Sequence, residues 1–193
     1  MKVIGVGCGP GMLTEQAIRE ISRASIIYGS DRAIELARSY IPVECVTKTI
    51  DDFKNLNKLP EHTVILSTGD PMLAGLGYLH GEVIPGISSL QVATARLHIP
   101  VSRVSVVVAH GKGHKRGIQD TVEEVKRGKI VFLLADPKFN VQDLYSDLSA
   151  LIDPLKIALC ENLGYPDERI LITDIRSPPQ PTQALYSLVI GNF

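Results

Sequence analysis

Ser67-Thr68-Gly69-Asp70-Pro71-Met72-Leu73-Ala74-Gly75, entered from His62-Thr63-Val64-Ile65-Leu66, is the stretch on which the fold turns. The entering run is β-branched and apolar, as a buried strand is. A segment with helical potential, Leu73 to His80, follows the turn. A small-residue turn between strand and helix leaves backbone N–H groups free to face a ligand. Glycine lets the chain approach that ligand closely, and Pro71 biases Asp70 toward extended backbone. The Asp70 carboxylate is thereby expected in a crook at the C-terminal edge of a strand, where open α/β sheets bind ligands. An ordinary strand-to-helix turn has the same composition, so the other loops must decide.

The chain of 193 residues has room for one large domain or two of roughly 100 residues. No apolar run approaches the ~20 residues that span a bilayer. Lys2 passes directly into Val3-Ile4-Gly5-Val6, which leaves no room for a secretory signal. Cys8, Cys45 and Cys160 stand far apart in no metal or redox spacing, and their odd number argues against a disulfide framework. A reducing, cytoplasmic setting is expected. A net charge of -1 offers no basic field for nucleic acid. A small-molecule site or a protein partner remains.

Outward from the aspartate turn, strands and helices alternate through the first half. Strands are expected at Lys2 to Gly7, Ser25 to Tyr28, Pro42 to Val46, His62 to Leu66 and Glu82 to Ile84. Thr14 and Ser30 are placed to cap helices, and Ile50 to Leu59 and Ser89 to Leu97 read as further helices. Such alternation predicts a largely parallel sheet covered on both faces. The pattern pauses at Ile99-Pro100, which sets expected domains of 1–100 and 101–193. In the second, Val104 to Ala109 is a strand, a basic loop runs from His110 to Gly117, and a helix covers Gln119 to Arg127. The strand Lys129 to Ala135, the helix Val141 to Leu151 and the strand Leu155 to Cys160 come next. Two last strands, Arg169 to Thr173 and Ala184 to Ile190, have no helix between them, which predicts an antiparallel edge. Both domains are therefore α/β.

The N-terminal glycines do not spell a dinucleotide site. Gly5, Gly7, Gly9 and Gly11 alternate, Pro10 occupies the helix approach, and no G-x-G-x-x-G starts at Gly5 or Gly7. Asp31 reads as the first turn of a helix, not as a ribose ligand. There is no phosphate-binding G-x-x-x-x-G-K.

Three loops taken together resemble the tetrapyrrole methylase family: Gly7-Cys8-Gly9-Pro10-Gly11, the Gly69-Asp70-Pro71 turn, and Pro85-Gly86-Ile87-Ser88-Ser89. Within it, Pro85 to Gln91 with Ala95-Arg96-Leu97, the Ala109-His110-Gly111 loop and Cys160-Glu161-Asn162-Leu163-Gly164-Tyr165-Pro166-Asp167-Glu168-Arg169-Ile170 are similar to the C5-methyltransferases of precorrins and cobalt-precorrins. The resemblance covers essentially the whole chain, and its last stretch is the most specific. It implies two α/β domains with an S-adenosylmethionine cleft between them, a tetrapyrrole acceptor from cobalamin biosynthesis, and a homodimer. Two departures stand out. The segment from Gly75 to Glu82 is short for the family. Many relatives also continue into a module that methylates carbon 15 with decarboxylation, whereas this chain stops at Phe193, so that chemistry is expected in a separate partner protein.

By the same resemblance, Cys8, Pro10, Gly69, Asp70, Leu73, Ser88 and Ser89 surround the cofactor, and Leu134, Ala135, Asn162 and Leu163 close over its adenine. A carboxylate such as Asp70 suits a ribose hydroxyl or an ammonium, and two serines at a helix start offer hydroxyls and N–H groups. Methyl transfer to carbon needs no covalent enzyme intermediate, so positioning and water exclusion carry it, with a general base to take the displaced proton. His110 and Glu161, at C-terminal strand ends, are the candidates. Lys112, Lys115 and Arg116 suit the acetate and propionate groups of the macrocycle. His110 and His114 lack further ligands for a metal. The same fold also serves methylases of another precorrin carbon or a protein side chain, and non-catalytic ligand-binding relatives; the Cys160 to Ile170 stretch favours the C5 reading.

Overall fold

The computed structural model describes residues 1–110, 113–151 and 155–193, and the chain divides into two units, Met1–Ser89 and Leu90–Phe193. The unit division thus lies at the start of a helix, upstream of the pause at Ile99-Pro100.

The first unit is a parallel sheet. Its strands are β1 (Lys2–Gly5), β2 (Ile26–Gly29), β3 (Val46–Thr49), β4 (Val64–Ser67) and β5 (Glu82–Ile84), in spatial order β3-β2-β4-β1-β5. β1 pairs in parallel with β4 and with β5, and β2 with β3 and β4. Alternating side chains fill two cores. Ile4, Val6, Ile27 and Leu66 pack with helices α1 (Glu15–Ile21) and α2 (Asp31–Ala37), whereas Val3 and Ile65 pack on Ile50, Leu56, Leu76 and Leu79. Each such buried aliphatic contributes about 1.5–3 kcal/mol. The two caps form as expected: Thr14 Oγ1 accepts from Ala17 N–H at 3.1 Å, and Ser30 Oγ from Ala33 N–H at 3.2 Å.

Three expectations for this unit need correction. The third strand starts where it was expected to end, because Pro42 to Cys45 is a turn closed by Cys45 N–H donating to the Pro42 carbonyl at 3.0 Å. Val43 is fully exposed there, so its apolar character reports no core. Ile50 to Leu59 is not an α-helix but a 3-10 segment, Phe53–Lys58. Asp52 at its start takes a local bond that competes with helix, accepting from Lys54 N–H at 2.8 Å, and Asn57 is tied to distant chain by accepting from His80 N–H at 3.2 Å. After the aspartate turn, helix α3 is confined to Pro71–Ala74. Gly75 then leaves helical angles (φ -112°, ψ -129°), and Gly77 N–H folds back to the Pro71 carbonyl at 2.9 Å.

The second unit opens with α4 (Ser89–Arg96), whose first residue closes the unit before it. Its sheet holds β6 (Val104–Ala109), β7 (Ile130–Ala135), β8 (Lys156–Glu161), β9 (Arg169–Asp174) and β10 (Tyr186–Gly191), in order β6-β7-β10-β8-β9. β6 and β7 are parallel, and β10 runs antiparallel to β7 and β8. The expected antiparallel edge is β9 on β8, while the final strand inserts into the middle of the sheet. Helices α5 (His114–Lys126) and α6 (Val141–Ser149) cover it through Leu133, Leu144, Leu148, Ile157 and Leu188. Helix α5 begins inside the stretch expected to be a basic loop, so Lys115 and Arg116 lie on its first turn, not in a loop. Gly117 allows this: a Cβ there would stand 2.6 Å from Ala109 Cβ. No helix among the described residues is long and apolar enough to cross a membrane.

Candidate functional site

The loops after β1, β4 and β5 emerge side by side, since these strands are neighbours in the order β4-β1-β5 and run the same way. They then hold each other by main-chain bonds. Val6 N–H donates to the Ser67 carbonyl at 2.9 Å, Gly7 and Gly69 exchange both bonds at 3.3 and 2.8 Å, and Cys8 N–H donates to the Ile87 carbonyl at 3.0 Å. Such lacing demands backbones in contact. A Cβ on Gly5 would lie 2.5 Å from Gly86 N and 2.7 Å from the Gly69 oxygen, and one on Gly86 would lie 2.3 Å from that same oxygen. Gly69 itself adopts φ +69°, which L side chains disfavour.

Asp70 locks the junction. Its backbone is extended, as expected before Pro71 (φ -109°, ψ 131°). Oδ1 accepts from Met72 N–H at 2.8 Å and caps α3, and Oδ2 accepts from Gly86 N–H at 3.0 Å, sixteen residues away. The carboxylate therefore binds the chain's own amides, a task that the sequence did not indicate. Around this crook, Ser88 is buried, Cys8, Leu73 and Ser89 are half-buried, and Pro10 is exposed. Cys8 Sγ lies 3.6 Å from Met12 Sδ. Arg32, which sequence reading passed over, reaches from α2 to donate from Nη2 to Thr68 Oγ1 at 3.1 Å.

In the second unit, Glu161 is fully buried at the end of β8. It accepts from Thr182 N–H and Oγ1 (the latter at 3.1 Å) and from Gln183 N–H at 2.9 Å, and it pairs with Arg169 Nε at 3.1 Å. That set of donors makes it the anchor of the segment entering β10. Asn162 follows with φ 49°, donating N–H to the Leu185 carbonyl at 3.0 Å and Nδ2 to Asp167 at 2.7 Å. Leu163 is buried. Burial raises the Glu168 carboxyl, but Arg96 Nε at 2.6 Å and Gly164 N–H at 2.7 Å outweigh it and hold the group below the usual range. Burial, with Glu168 nearby, pushes the Cys160 thiol up to about 12.

Ala135 is buried and Leu134 half-buried at the end of β7. Just beyond them Asp136 takes a second pair that sequence reading missed. His114 Nε2 lies 2.8 Å from Asp136 Oδ2, and the His114 ring stands edge-on to Phe139 at 5.5 Å. An acid directly after the strand was the available signal. His110 is exposed at the end of β6, and Lys115 and Arg116 are exposed on α5. Lys112 lies outside the described residues. No group of three metal-ligating side chains occurs among the described residues.

Residues 2–179 match the Tetrapyrrole (Corrin/Porphyrin) Methylases as a family. A probable cobalt-precorrin-7 C(5)-methyltransferase of Methanocaldococcus jannaschii is 30% identical over 190 residues, covering 89% of this chain and 88% of the relative. The crystal structure of a cobalamin-biosynthesis precorrin-6Y methylase from Archaeoglobus fulgidus superposes with a TM-score of 0.76 at 29% identity, covering 99% of this chain and 96% of that one. A uroporphyrin-III C-methyl transferase of Thermus thermophilus, solved with S-adenyl homocysteine, shares the fold with a TM-score of 0.70 at 18% identity, over 98% of this chain and 96% of that one.

Proposed function

Because this chain belongs to the tetrapyrrole (corrin/porphyrin) methylases, we propose that it methylates carbon 5 of a cobalt-precorrin or precorrin with S-adenosylmethionine as donor. The observation that carries the reading is the glycine-laced crook at the C-terminal edge of the first sheet. The fit of the cofactor can be judged on that crook. Missing side chains at Gly5, Gly69 and Gly86 bring three backbones together at an edge where α/β sheets bind ligands. A buried Ser88 on one of these loops and a half-buried Leu73 after the aspartate turn match a molecule with both polar and apolar parts.

Bound there, S-adenosylmethionine supplies a methyl group made electrophilic by its sulfonium. The chain's residues have three tasks around that chemistry. Gly69, Asp70 and Ser88 fix the loop geometry, so that little rearrangement is left for the moment of reaction. Cys8, Pro10, Leu73 and Ser89 line the first unit's share of the cofactor, and Leu134, Ala135, Asn162 and Leu163 are assigned to it by family resemblance. Lys115 and Arg116, exposed on the first turn of α5, suit the carboxylates of the macrocycle.

Incubation of the protein with S-adenosylmethionine and cobalt-precorrin-7 tests the proposal. A product heavier by one methyl group, with carbon 5 identified by NMR, is the expected result. An unmethylated acceptor, or methylation at another carbon, would overturn it.

A further inference from the structure

Arg32 is placed for an anion that the protein itself does not provide. It stands in the first turn of α2 and is half-buried, and its guanidinium crosses to the loop after β4 to donate to the neutral Thr68 hydroxyl at 3.1 Å. Thr68 is two residues before Asp70, so the cation sits on the rim of the glycine-laced crook. The carboxylates near Arg32 and Thr68 in sequence are already used, and Glu35 pairs with Arg38 Nε at 3.4 Å. Asp31 accepts from the Thr49 hydroxyl at 2.8 Å, and both oxygens of Asp70 accept from main-chain N–H groups. No described carboxylate forms an ion pair with Arg32. A partly desolvated guanidinium held by a single neutral acceptor keeps most of its five donors for a planar anion.

We infer that Arg32 is a carboxylate anchor of the active site, held in place by Thr68 and aimed along the edge where the loops after β1, β4 and β5 converge. The inference rests on the methyltransferase reading, which offers two carboxylate sources. One is the methionyl end of the cofactor, and the other is the rim of acetates and propionates on the acceptor. Both present the planar acceptor pair that a guanidinium matches.

The test uses Arg32→Gln in the full chain, with Arg32→Lys as the conservative partner. S-adenosylhomocysteine and 5′-methylthioadenosine, which lacks the amino-acid carboxylate, are titrated calorimetrically, and kcat and KM are measured with cobalt-precorrin-7. If the anchor serves the cofactor, Arg32→Gln weakens S-adenosylhomocysteine about tenfold to a hundredfold and leaves 5′-methylthioadenosine unchanged. If it serves the acceptor, KM rises by a similar factor while S-adenosylhomocysteine binds as in the wild type. Arg32→Lys recovers part of the loss in either case. The inference is overturned if none of these quantities moves, or if both nucleosides weaken equally, which would mean that Arg32 only props the loop. Failure of the wild-type protein to bind S-adenosylhomocysteine would instead bring down the methyltransferase reading on which the anchor depends.

Discussion

Gly86→Ala probes the crook with one methyl group. The Cβ would stand 2.3 Å from the Gly69 oxygen, 2.8 Å from the Gly5 carbonyl carbon and 2.9 Å from Gly5 Cα. All three are backbone atoms, so no side chain can swing aside, and the loops must part by about 1 Å to regain ordinary contact. Overpacking of this kind costs about 1–3 kcal/mol. Parting the loops also breaks the 3.0 Å bond from Gly86 N–H to Asp70, with a penalty of about 1–3 kcal/mol for groups left unpaired. The smaller unfolded-state entropy of alanine returns about 0.4–1 kcal/mol. A net loss of roughly 1–5.5 kcal/mol follows, or a melting temperature lower by roughly 2–20 °C at about 2–4 °C per kcal/mol. Since the distortion falls on the proposed cofactor loops, S-adenosylhomocysteine should bind at least about fivefold more weakly. Gly113→Ala is the control, because its Cβ would meet nothing within 4 Å. Differential scanning fluorimetry and calorimetric titration read both quantities. A Gly86→Ala protein that melts and binds like the wild type would refute the reasoning.

Three further outcomes follow from the second unit and the cysteines. Glu161→Ala leaves the Thr182 and Gln183 amides and the Arg169 guanidinium without their acceptor, so urea unfolding should show a loss of about 3–5 kcal/mol; a loss under about 1 kcal/mol would deny Glu161 its anchoring role. With Cys160 buried and its thiol raised to about 12, a thiol reagent near pH 8 should label at most Cys8 and Cys45 until the protein unfolds, and three equally fast thiols would contradict this. Glu168 is held below its ordinary value of 4.5, so its ion pair with Arg96 stabilises the fold fully above that value and is lost as pH falls through the depressed one; Arg96→Ala should be less stable than wild type near neutral pH, and the gap should close as acid protonates Glu168, as followed by urea unfolding.

Local signals in the sequence were read well where neighbours in the chain decide the structure. Thr14 and Ser30 cap their helices, Glu82–Ile84 and Val104–Ala109 are strands, and Asp70 is extended before Pro71. Readings went astray where tertiary context overrode apolar character. Pro42 and Val43 look like strand residues but form an exposed turn beside an edge strand, and the last strand enters mid-sheet because β7 and β8 leave that place open. The loops forming the crook were legible, but not their connections. Asp70 meets Gly86 only because β5 lies beside β1, and Arg32 meets Thr68 only because β2 lies beside β4. The His114–Asp136 pair likewise depends on β6 and β7 ending in register, with Ala109 opposite Ala135. Parallel sheets bring together residues far apart in sequence, and no periodicity records which ones.

The central claim, that this chain holds S-adenosylmethionine for methyl transfer, is tested most directly by calorimetric titration of the wild-type protein with S-adenosylhomocysteine, with NAD as control. The account predicts one site per chain with a dissociation constant on the order of micromolar and no heat from NAD. No binding of S-adenosylhomocysteine at about 1 mM, or NAD binding as tightly, would contradict it.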